Sequence, residues 1–379
     1  MRTKSVLLQL GYTSKMRLDG IAAYAKEHGW LIAVEDRSSL PRGWTGDGAL
    51  VMLRARQPRM AAFAQGLASR GIPVVDLSIC HPELALPRVV GDHRAIGALA
   101  AEHFAERHFR NAAFFAKDWT EVEKLRLAGF AESWRGGDPG RKPLKWVWRR
   151  ECDEQCYDDW KALGAWLSER LKAAPKPLAL FAFNDNDAAR ALDVALDAGL
   201  AVPEEVAILG CDDEPLICEN QRVTISSVRH DLKRIGWECA ALLDRLMEGA
   251  EAPSGPTLVP PLGISVRRST DTVAASSPAM RKALSLIARH LGDAYGAADL
   301  AREMGISRAT LGRLFAAELD SAPAKEIARQ RLARAKLLLA RTDRPLKAIA
   351  RECGFCDAAH FTNAFRRATG LTPRAARRR

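Results

Sequence analysis

Two patterns of apolar positions divide the chain near residue 270. Before that point, short apolar runs such as Ser5–Leu10 and Leu178–Phe183 alternate with helical stretches such as Asp92–Arg107. Apolar strands that alternate with helices are typical of a parallel sheet covered on both faces. From Ala279 onward no strand signal remains, and apolar residues recur at helical spacing. The pattern therefore predicts an α/β body followed by an all-α domain.

The α/β pattern runs through two halves of similar make-up. We predict one lobe over about residues 1–117 and a second over about 118–225, with crossovers back near 226–270. The stretch Glu251–Pro261 is rich in Pro, Gly and Ser and predicts a loop, and residues 271–278 predict a linker to a domain over 279–379. A two-lobed α/β module of this size is typical of small-molecule binding in the cleft between lobes.

The all-α part contains one kind of helix pair twice. Asp299–Leu319 and Leu346–Thr369 each consist of an amphipathic helix, a break with Gly or Cys-Gly, and a second helix. The second helices begin after Ser307 and Asp357, which are residue types that cap helix N-termini. This is the helix-turn-helix pattern, which presents the outer face of a helix to a DNA groove.

The net positive charge of the chain comes from the part that carries these helix pairs. The formal net charge is +11 overall; residues 276–379 hold 21 Lys and Arg against 9 Asp and Glu, whereas the other 275 residues hold 36 and 37. A nearly neutral body with a basic terminal domain suggests a polyanion partner for that domain, and a solvated basic surface is the alternative.

Composition excludes several other classes of protein. The N-terminal apolar run is too short for a signal sequence, and no apolar stretch is long enough to span a membrane, so we expect a cytoplasmic protein without a membrane partner.

Eight Cys are scattered, and only Cys353 and Cys356 have C-x-x-C spacing. This spacing fits either a metal site or close packing at a turn. Packing is favoured, because no second pair of metal ligands lies nearby. We expect no cofactor.

Polar side chains crowd the ends of two buried strands in the body. The strand Leu178–Phe183 runs into Asn184 and Asp185, and Val206–Gly210 runs into Asp212. Carboxylates at strand ends can accept hydrogen bonds from the hydroxyls of a sugar. Alternatively, Asn184 and Asp185 cap the helix that follows.

Residues 92–269 resemble the effector domain of LacI-type repressors, which has the type I periplasmic-binding fold. The matching segments are Gly91–Gly97, Arg126–Phe130, Asn184-Asp185, Gly199–Val206, Gly210–Asp213 and Thr224–Val228. The resemblance implies that Arg126, Asp185 and Asp212 reach the effector, where a guanidinium and two carboxylates can grip a vicinal diol. Tyr12 either stacks on a sugar ring or is an ordinary loop residue.

Residues 280–379 resemble the AraC-type DNA-binding domain over its whole length. The matching segments are Asp299–Arg308, Leu311–Phe315, Pro323, Arg331–Leu339, Ile349–Phe355, Phe361–Arg366 and Gly370–Pro373. The resemblance implies two helix-turn-helix units joined by a long helix, with the second helix of each unit in the major groove. LacI-type repressors carry their DNA-binding helices ahead of the effector domain, so this chain has the opposite order.

Two residues of these second helices are the best candidates for contacts with bases. Arg can bind guanine in a bidentate manner and Asn can bind adenine, so we expect Arg313 and Asn363 to contact bases. Other expected interface residues are Ser307, Arg308, Thr310, Asp357 and Thr362. Ala and Gly occupy several neighbouring positions, so the protein reads either few bases per unit or thymine methyls and DNA shape.

Three further residues are expected on the outer face of the last helix pair. Arg366 and Arg367 are suited to DNA phosphates, which attract guanidinium groups regardless of sequence. His360 is either a DNA contact or a histidine on the helix surface.

A LacI-type effector domain followed by an AraC-type domain resembles the xylose-operon regulators, the XylR type. The resemblance implies a transcription regulator, usually an activator, that senses a pentose such as D-xylose. Its expected partners are double-stranded operator DNA, a small sugar, RNA polymerase and a second copy of the chain. The alternatives are the same architecture with another sugar or as a repressor and, from other classes, a transport binding protein or a sugar-acting enzyme, although no catalytic constellation is apparent.

Overall fold

The computed structural model describes residues 3–10, 13–34, 43–54, 57–134, 142–275, 277–342 and 344–377. The chain forms two compact units, Met1–Thr272 and Val273–Arg379. Among the described residues, no helix is long and apolar enough to cross a membrane.

The first unit alternates strands and helices, as the apolar pattern predicts. Its strands are β1 (Ser5–Gln9), β2 (Leu31–Val34), β3 (Gly48–Val51), β4 (Val74–Asp76), β5 (Val89–Gly91), β6 (Asn111–Ala116), β7 (Leu144–Val147), β8 (Leu178–Ala182), β9 (Val206–Cys211), β10 (Ser226–Val228), β11 (Thr257–Val259) and β12 (Ile264–Ser265). Its helices are α1 (Lys15–Glu27), α2 (Pro58–Ser69), α3 (His93–Ala105), α4 (Glu121–Ser133), α5 (Trp160–Ala173), α6 (Asp185–Asp197), α7 (Pro215–Cys218) and α8 (Leu232–Met247).

These strands build a main sheet in each lobe and a third sheet of two strands, β5 and β11. The first lobe contains a parallel sheet in the order β2-β1-β3-β4, which a bridge between Asp76 and Arg88 extends towards β5 and its partner β11. The second lobe contains the sheet β12-β10-β9-β8-β6-β7, in which only β12 is antiparallel. The residues of β8 and β9 are all buried, as expected for central strands with helices on both faces.

The boundary between the lobes differs from the sequence prediction. Strand β6 pairs with β7 and β8, so it belongs to the second sheet, and the chain leaves the first lobe near Asp92 rather than near residue 117. The chain returns to the first lobe with α8, which packs closely against α1. A Cβ on Gly20 would lie 2.0 Å from the Lys233 carbonyl oxygen, so only glycine allows this approach. The predicted loop Glu251–Pro261 contains β11, which is too short to leave a periodic pattern.

The second unit is entirely helical in its described part, as predicted. Its helices are α9 (Pro278–Arg289), α10 (Ala297–Met304), α11 (Arg308–Leu319), α12 (Pro323–Arg341), α13 (Leu346–Glu352), α14 (Ala358–Thr369) and α15 (Pro373–Arg377). One core joins α9 to α11, and a second joins α12 to α14 around Phe361 and Phe365. Ala275 is buried in the first of these cores and Ser277 caps α9, so the predicted linker 271–278 is shorter than expected.

Candidate effector cleft and DNA-binding surface

The polar residues that follow β8 have two different roles. The Asn184 side chain accepts a hydrogen bond of 2.8 Å from the Asp187 backbone N–H, so Asn184 caps α6. Asp185 is 2% exposed, and each of its carboxylate oxygens accepts a hydrogen bond, from the Ser227 hydroxyl at 2.6 Å and from the Glu214 backbone N–H at 2.8 Å. Asp185 therefore anchors the loop after β9 within the second lobe.

The surroundings of Asp185 raise the pKa of its carboxyl group. Burial, followed by the charge of Asp212, raises the pKa of Asp185 to about 7. A Cβ on Gly210 would lie 2.3 Å from Asp185 Oδ1, so the strand can pass the carboxyl group only with glycine at that position. Asp185 thus has little free hydrogen-bonding capacity and only a partial negative charge near neutral pH.

Asp212 presents its carboxylate at the carboxyl end of β9. Its φ of 108° and that of 56° at Asp213 are unusual for residues other than glycine and turn the chain sharply out of the sheet. Asp212 Oδ1 lies 3.3 Å from His230 Nδ1 and 3.7 Å from Arg126 Nη2. Burial favours a higher pKa for Asp212, but the hydrogen bond from His230 and the charge of Arg126 outweigh it and lower the pKa.

Arg126 lies on α4 and is 3% exposed. Its Nε donates to His93 Nδ1 at 3.4 Å, its Nη1 donates to the Phe183 carbonyl oxygen, and its guanidinium lies 4.6 Å from the centre of the Phe183 ring. Gly97 of α3 allows the close approach of α4, because a Cβ there would lie 2.1 Å from the Arg126 carbonyl oxygen. The structure thus brings together Arg126 and Asp212, as the sequence predicts.

Two buried histidines complete this cluster, and the sequence analysis missed both. The rings of His93 and His230 lie 5.7 Å apart, and burial lowers the pKa of each, so both are neutral near pH 7. A Cβ on Gly91 would lie 1.8 Å from His230 Nε2, so the imidazole ring fits next to the end of β5 only because residue 91 is glycine. His93 follows β5 and His230 follows β10, and these positions after strands are the signal that could have identified them.

The first lobe contributes Arg17, a further residue that the sequence analysis missed. Arg17 is 9% exposed, and its Nη1 donates to Thr13 Oγ1 at 2.9 Å and approaches Met52 Sδ at 3.3 Å. Thr13 and Met52 follow β1 and β3, so Arg17 lies at the carboxyl ends of the first sheet. Tyr12, the predicted stacking residue, lies outside the described residues.

Cys211, Asp212 and His230 also hold potential metal-ligand atoms within 4.8 Å of one another. Burial raises the pKa of the Cys211 thiol well above its usual value, so the sulfur is a protonated thiol and a poor ligand. The neighbouring Arg126 further disfavours a cation. These residues fit a site for an organic ligand better than a metal site.

The first helix pair consists of α10 and α11. Gly305 ends α10 with a φ of 69°, and Ser307 caps α11 by accepting a 3.0 Å hydrogen bond from the Thr310 backbone N–H, which confirms the predicted capping role. Arg308, Thr310 and Arg313 are exposed on α11. The Thr310 hydroxyl lies 2.9 Å from Ser307 Oγ and 3.5 Å from Arg313 Nη2, so these three side chains form one polar group on the outer face.

The second helix pair consists of α13 and α14. Asp357 caps α14 through a 2.6 Å hydrogen bond from the His360 backbone N–H, which confirms its predicted capping role. His360 and Asn363 are exposed on α14, as are Arg366 and Arg367. Thr362 is half-buried and its hydroxyl donates to the Ala358 carbonyl oxygen at 2.7 Å, which leaves Thr362 less available to DNA than its neighbours.

The long helix α12 fixes the two pairs relative to each other. Arg331 Nη2 donates to the carbonyl oxygens of Asp293 and Tyr295 at 2.8 and 2.9 Å, next to the first pair. Glu352, at the end of α13, pairs with Arg334 and Arg344. The Cys353–Cys356 segment makes the turn between α13 and α14: Cys353 is fully buried with a pKa raised by burial to about 11, and Cys356 is exposed. The burial of Cys353 favours the packing interpretation of the C-x-x-C spacing.

Comparison with known proteins identifies both units. Residues 101–270 match the family described as periplasmic binding protein-like domain, and residues 300–379 match the helix-turn-helix domain family. The first match lies in the α/β unit and the second in the helical unit.

The similarity to individual proteins extends across both units. The xylose operon regulatory protein of Escherichia coli strain K12 is 26% identical over 375 residues, which span 94% of this chain and 92% of that protein. The arabinose operon regulatory protein of the same strain is 33% identical over 95 residues, 25% of this chain and 32% of that protein. These relatives are regulators of transcription rather than enzymes.

The fold is also found among solved structures. The structure of the xylose-binding transcription activator xylR has a TM-score of 0.62 at 23% identity and covers all of this chain and 98% of that one. The transcriptional regulator CelR in complex with cellobiose has a TM-score of 0.56 at 22% identity over 71% of this chain and 85% of that chain. The similarity of fold to the first structure therefore extends over both units of this chain.

Proposed function

We propose that this protein, a homologue of the xylose operon regulatory proteins with an AraC-type helix-turn-helix domain, is a transcription regulator that binds a sugar in the cleft of its α/β unit. The sugar changes how the helical unit binds operator DNA. D-xylose, or another pentose, is the first compound to consider because the relatives that match both units regulate xylose operons.

The observation that supports the sensing role is the cluster around Asp212. Arg126 and Asp212 provide a hydrogen-bond donor and an acceptor, and Asp212 retains an exposed side-chain fraction of 36%. Charged groups of this kind form strong hydrogen bonds with sugar hydroxyls. We assign effector contact to these two residues, whereas Asn184 and Asp185 support the site through the helix cap and the loop after β9.

On the DNA side, we propose that α11 and α14 are the recognition helices. Their outer faces expose groups that can bind base edges, above all Arg313 and Asn363, with Arg308 and Thr310 beside them. Arg366 and Arg367 are suited to phosphates, and Ser307 and Asp357 hold the N-termini of the two helices. His360 Nδ1 lies 3.2 Å from the Cys356 sulfur and is a secondary candidate for DNA contact.

We further propose that the protein acts in the cytoplasm as a homodimer and activates transcription by contacting RNA polymerase. Two copies carry four recognition helices, so the operator contains repeated half-sites spaced in phase with the helical turn of about 10.5 bp. The alternative within the same architecture is a repressor or a sensor of another sugar.

Thermal unfolding of the full chain with a panel of monosaccharides tests the sensing role. A ligand that binds only the folded protein raises the melting temperature, by an amount that grows with its concentration. All 9 Trp precede residue 238, so tryptophan fluorescence reports the unfolding of the first unit. We expect a pentose or a close derivative to raise the midpoint temperature of that unfolding transition. If no sugar or sugar derivative shifts that transition, the proposal of a sugar sensor is wrong.

A further inference from the structure

The cleft contains a buried guanidinium that has no anionic partner among the described residues. Arg17 donates only to a hydroxyl and a thioether, and its Nε is buried without a hydrogen-bond partner. Burial lowers the pKa of Arg17, and the charge of Asp212 offsets this effect only in part. Most buried charges in proteins are paired, so an unpaired guanidinium at a binding cleft indicates that the partner comes with the ligand.

The charges around Arg17 do not supply the missing anion. The charges of Arg17 and Arg126 both act on the pKa of His93, Asp212 and His230, so the two guanidiniums interact electrostatically with the same three side chains. Asp212 interacts with Arg126 and His230 through one and the same oxygen, Oδ1. The two histidines are neutral, and the carboxyl group of Asp185 is committed to Ser227 and Glu214. One carboxylate therefore faces two guanidiniums.

The ring of His230 does not change this balance of charge. His230 Nδ1 faces the Asp212 carboxylate, which can only accept, so Nδ1 carries the proton of the neutral ring. His230 Nε2 then has a lone pair, but this atom is buried against Gly91, where a Cβ would lie 1.8 Å away. The neutral ring therefore supplies neither a charge for Arg17 nor a free acceptor for a ligand.

We propose that the effector is a polyhydroxy compound that carries an oxyanion, such as an aldonate, a uronate or a sugar phosphate. Its anionic group neutralises Arg17 together with Arg126, and its hydroxyls donate to the Asp212 carboxylate. This inference rests on the proposed function, because it takes the cleft of the α/β unit to be the effector site. It differs from the expectation of a neutral pentose, for which Arg17 would remain unpaired.

Isothermal titration calorimetry with the full chain and four related compounds tests the inference. The compounds are D-xylose, the aldonate with the same carbon skeleton, the corresponding alditol and the pentose 5-phosphate. The alditol is an open-chain control without charge, and the two anions distinguish a carboxylate from a phosphate. We expect at least one anion to bind about 10- to 100-fold more tightly than the neutral compounds, the range expected for a charge-assisted hydrogen bond.

A pair of variants on one helix tests the role of Arg17. Arg17→Gln removes the buried charge, whereas Lys15→Gln removes a charge from an exposed side chain two residues away, which pairs with Asp19 at 3.2 Å. We expect Arg17→Gln to abolish the preference for the anion, because the variant lacks the buried charge that pairs with the anionic group. Lys15→Gln should retain the preference.

Three results would overturn the inference. Tight binding of the neutral pentose with no binding of either anion would contradict it and leave the proposed sugar sensor intact. A preference for the anion that persists in Arg17→Gln would contradict the assignment to Arg17. Failure of all four compounds and of the other sugars in the thermal panel would remove both the inference and the proposed sensing role.

Discussion

Asn363 and Arg366 lie three residues apart on α14, so their side chains leave the helix on the same face. Both are exposed, yet their chemistry suits different parts of DNA. The Asn amide can donate to and accept from an adenine edge, whereas a guanidinium neutralises phosphates of any sequence. The two residues therefore offer a direct test of how this helix meets DNA.

Alanine substitutions should separate these two roles. Asn363→Ala should weaken binding to the preferred sequence by about 1–3 kcal/mol and relax specificity at one base pair. Arg366→Ala should weaken binding to all sequences alike and lower the slope of log affinity against log salt by about 1. Fluorescence anisotropy with a selected operator and a scrambled duplex, at several salt concentrations, measures both. A uniform loss for Asn363→Ala would contradict base reading by that residue.

The residues of the site were predictable from sequence only in part. Arg126 and Asp212 were identified because they occupy motif positions, and the structure brings them within 3.7 Å. His93 and His230 follow strands, which is a signal that the sequence carries, but nothing local shows that they meet Arg17 in one cluster. Such contacts depend on how distant segments pair, which local patterns of polarity do not encode.

At the scale of elements, Gly354 occupies a position that only glycine fits. Its φ is 71°, and a Cβ there would lie 2.4 Å from the Leu291 carbonyl oxygen and 2.8 Å from Arg331 Nε. Gly370 has a similar φ of 73°, but nothing lies within 4 Å of its Cβ position. The two glycines share a backbone conformation and differ in packing, which makes Gly370 a matched control.

We expect Gly354→Ala to destabilise the helical unit more than Gly370→Ala does. Gly370→Ala should cost about 1–2 kcal/mol for the left-handed backbone, and Gly354→Ala should cost a further ~1–3 kcal/mol for overpacking. Denaturant unfolding followed by circular dichroism measures both, and the tryptophan signal should not change because the helical unit contains no Trp. Equal losses in the two variants would show that the contact with Leu291 is unimportant.

The boundaries of the elements followed the apolar pattern closely, but their assignment to lobes did not. Strand β6 was expected in the first lobe and lies in the second sheet, because pairing with β8 decides its position. Strand β11 pairs with β5 across more than 160 residues of sequence, and its three residues carry no periodic signal. Local periodicity predicts that a strand exists, whereas tertiary pairing decides which sheet it joins.

At the scale of the whole molecule, the proposed effector cleft and the proposed DNA surface lie in different compact units. A ligand changes DNA binding only if it binds one state of the protein more tightly than another, and the effect is reciprocal. A regulator of this kind therefore requires a measurable coupling free energy between effector binding and DNA binding, typically about 1–3 kcal/mol or 5- to 150-fold in affinity.

The most direct test of this account is the affinity of the full chain for its operator, with and without effector. The operator is obtained by selection from random duplexes, and affinity is measured by fluorescence anisotropy at fixed salt. We expect saturating effector to change the dissociation constant by at least about fivefold, and Asp212→Asn to retain basal DNA binding but lose this response. An operator affinity that is identical with and without a ligand that calorimetry shows to be bound would contradict the account.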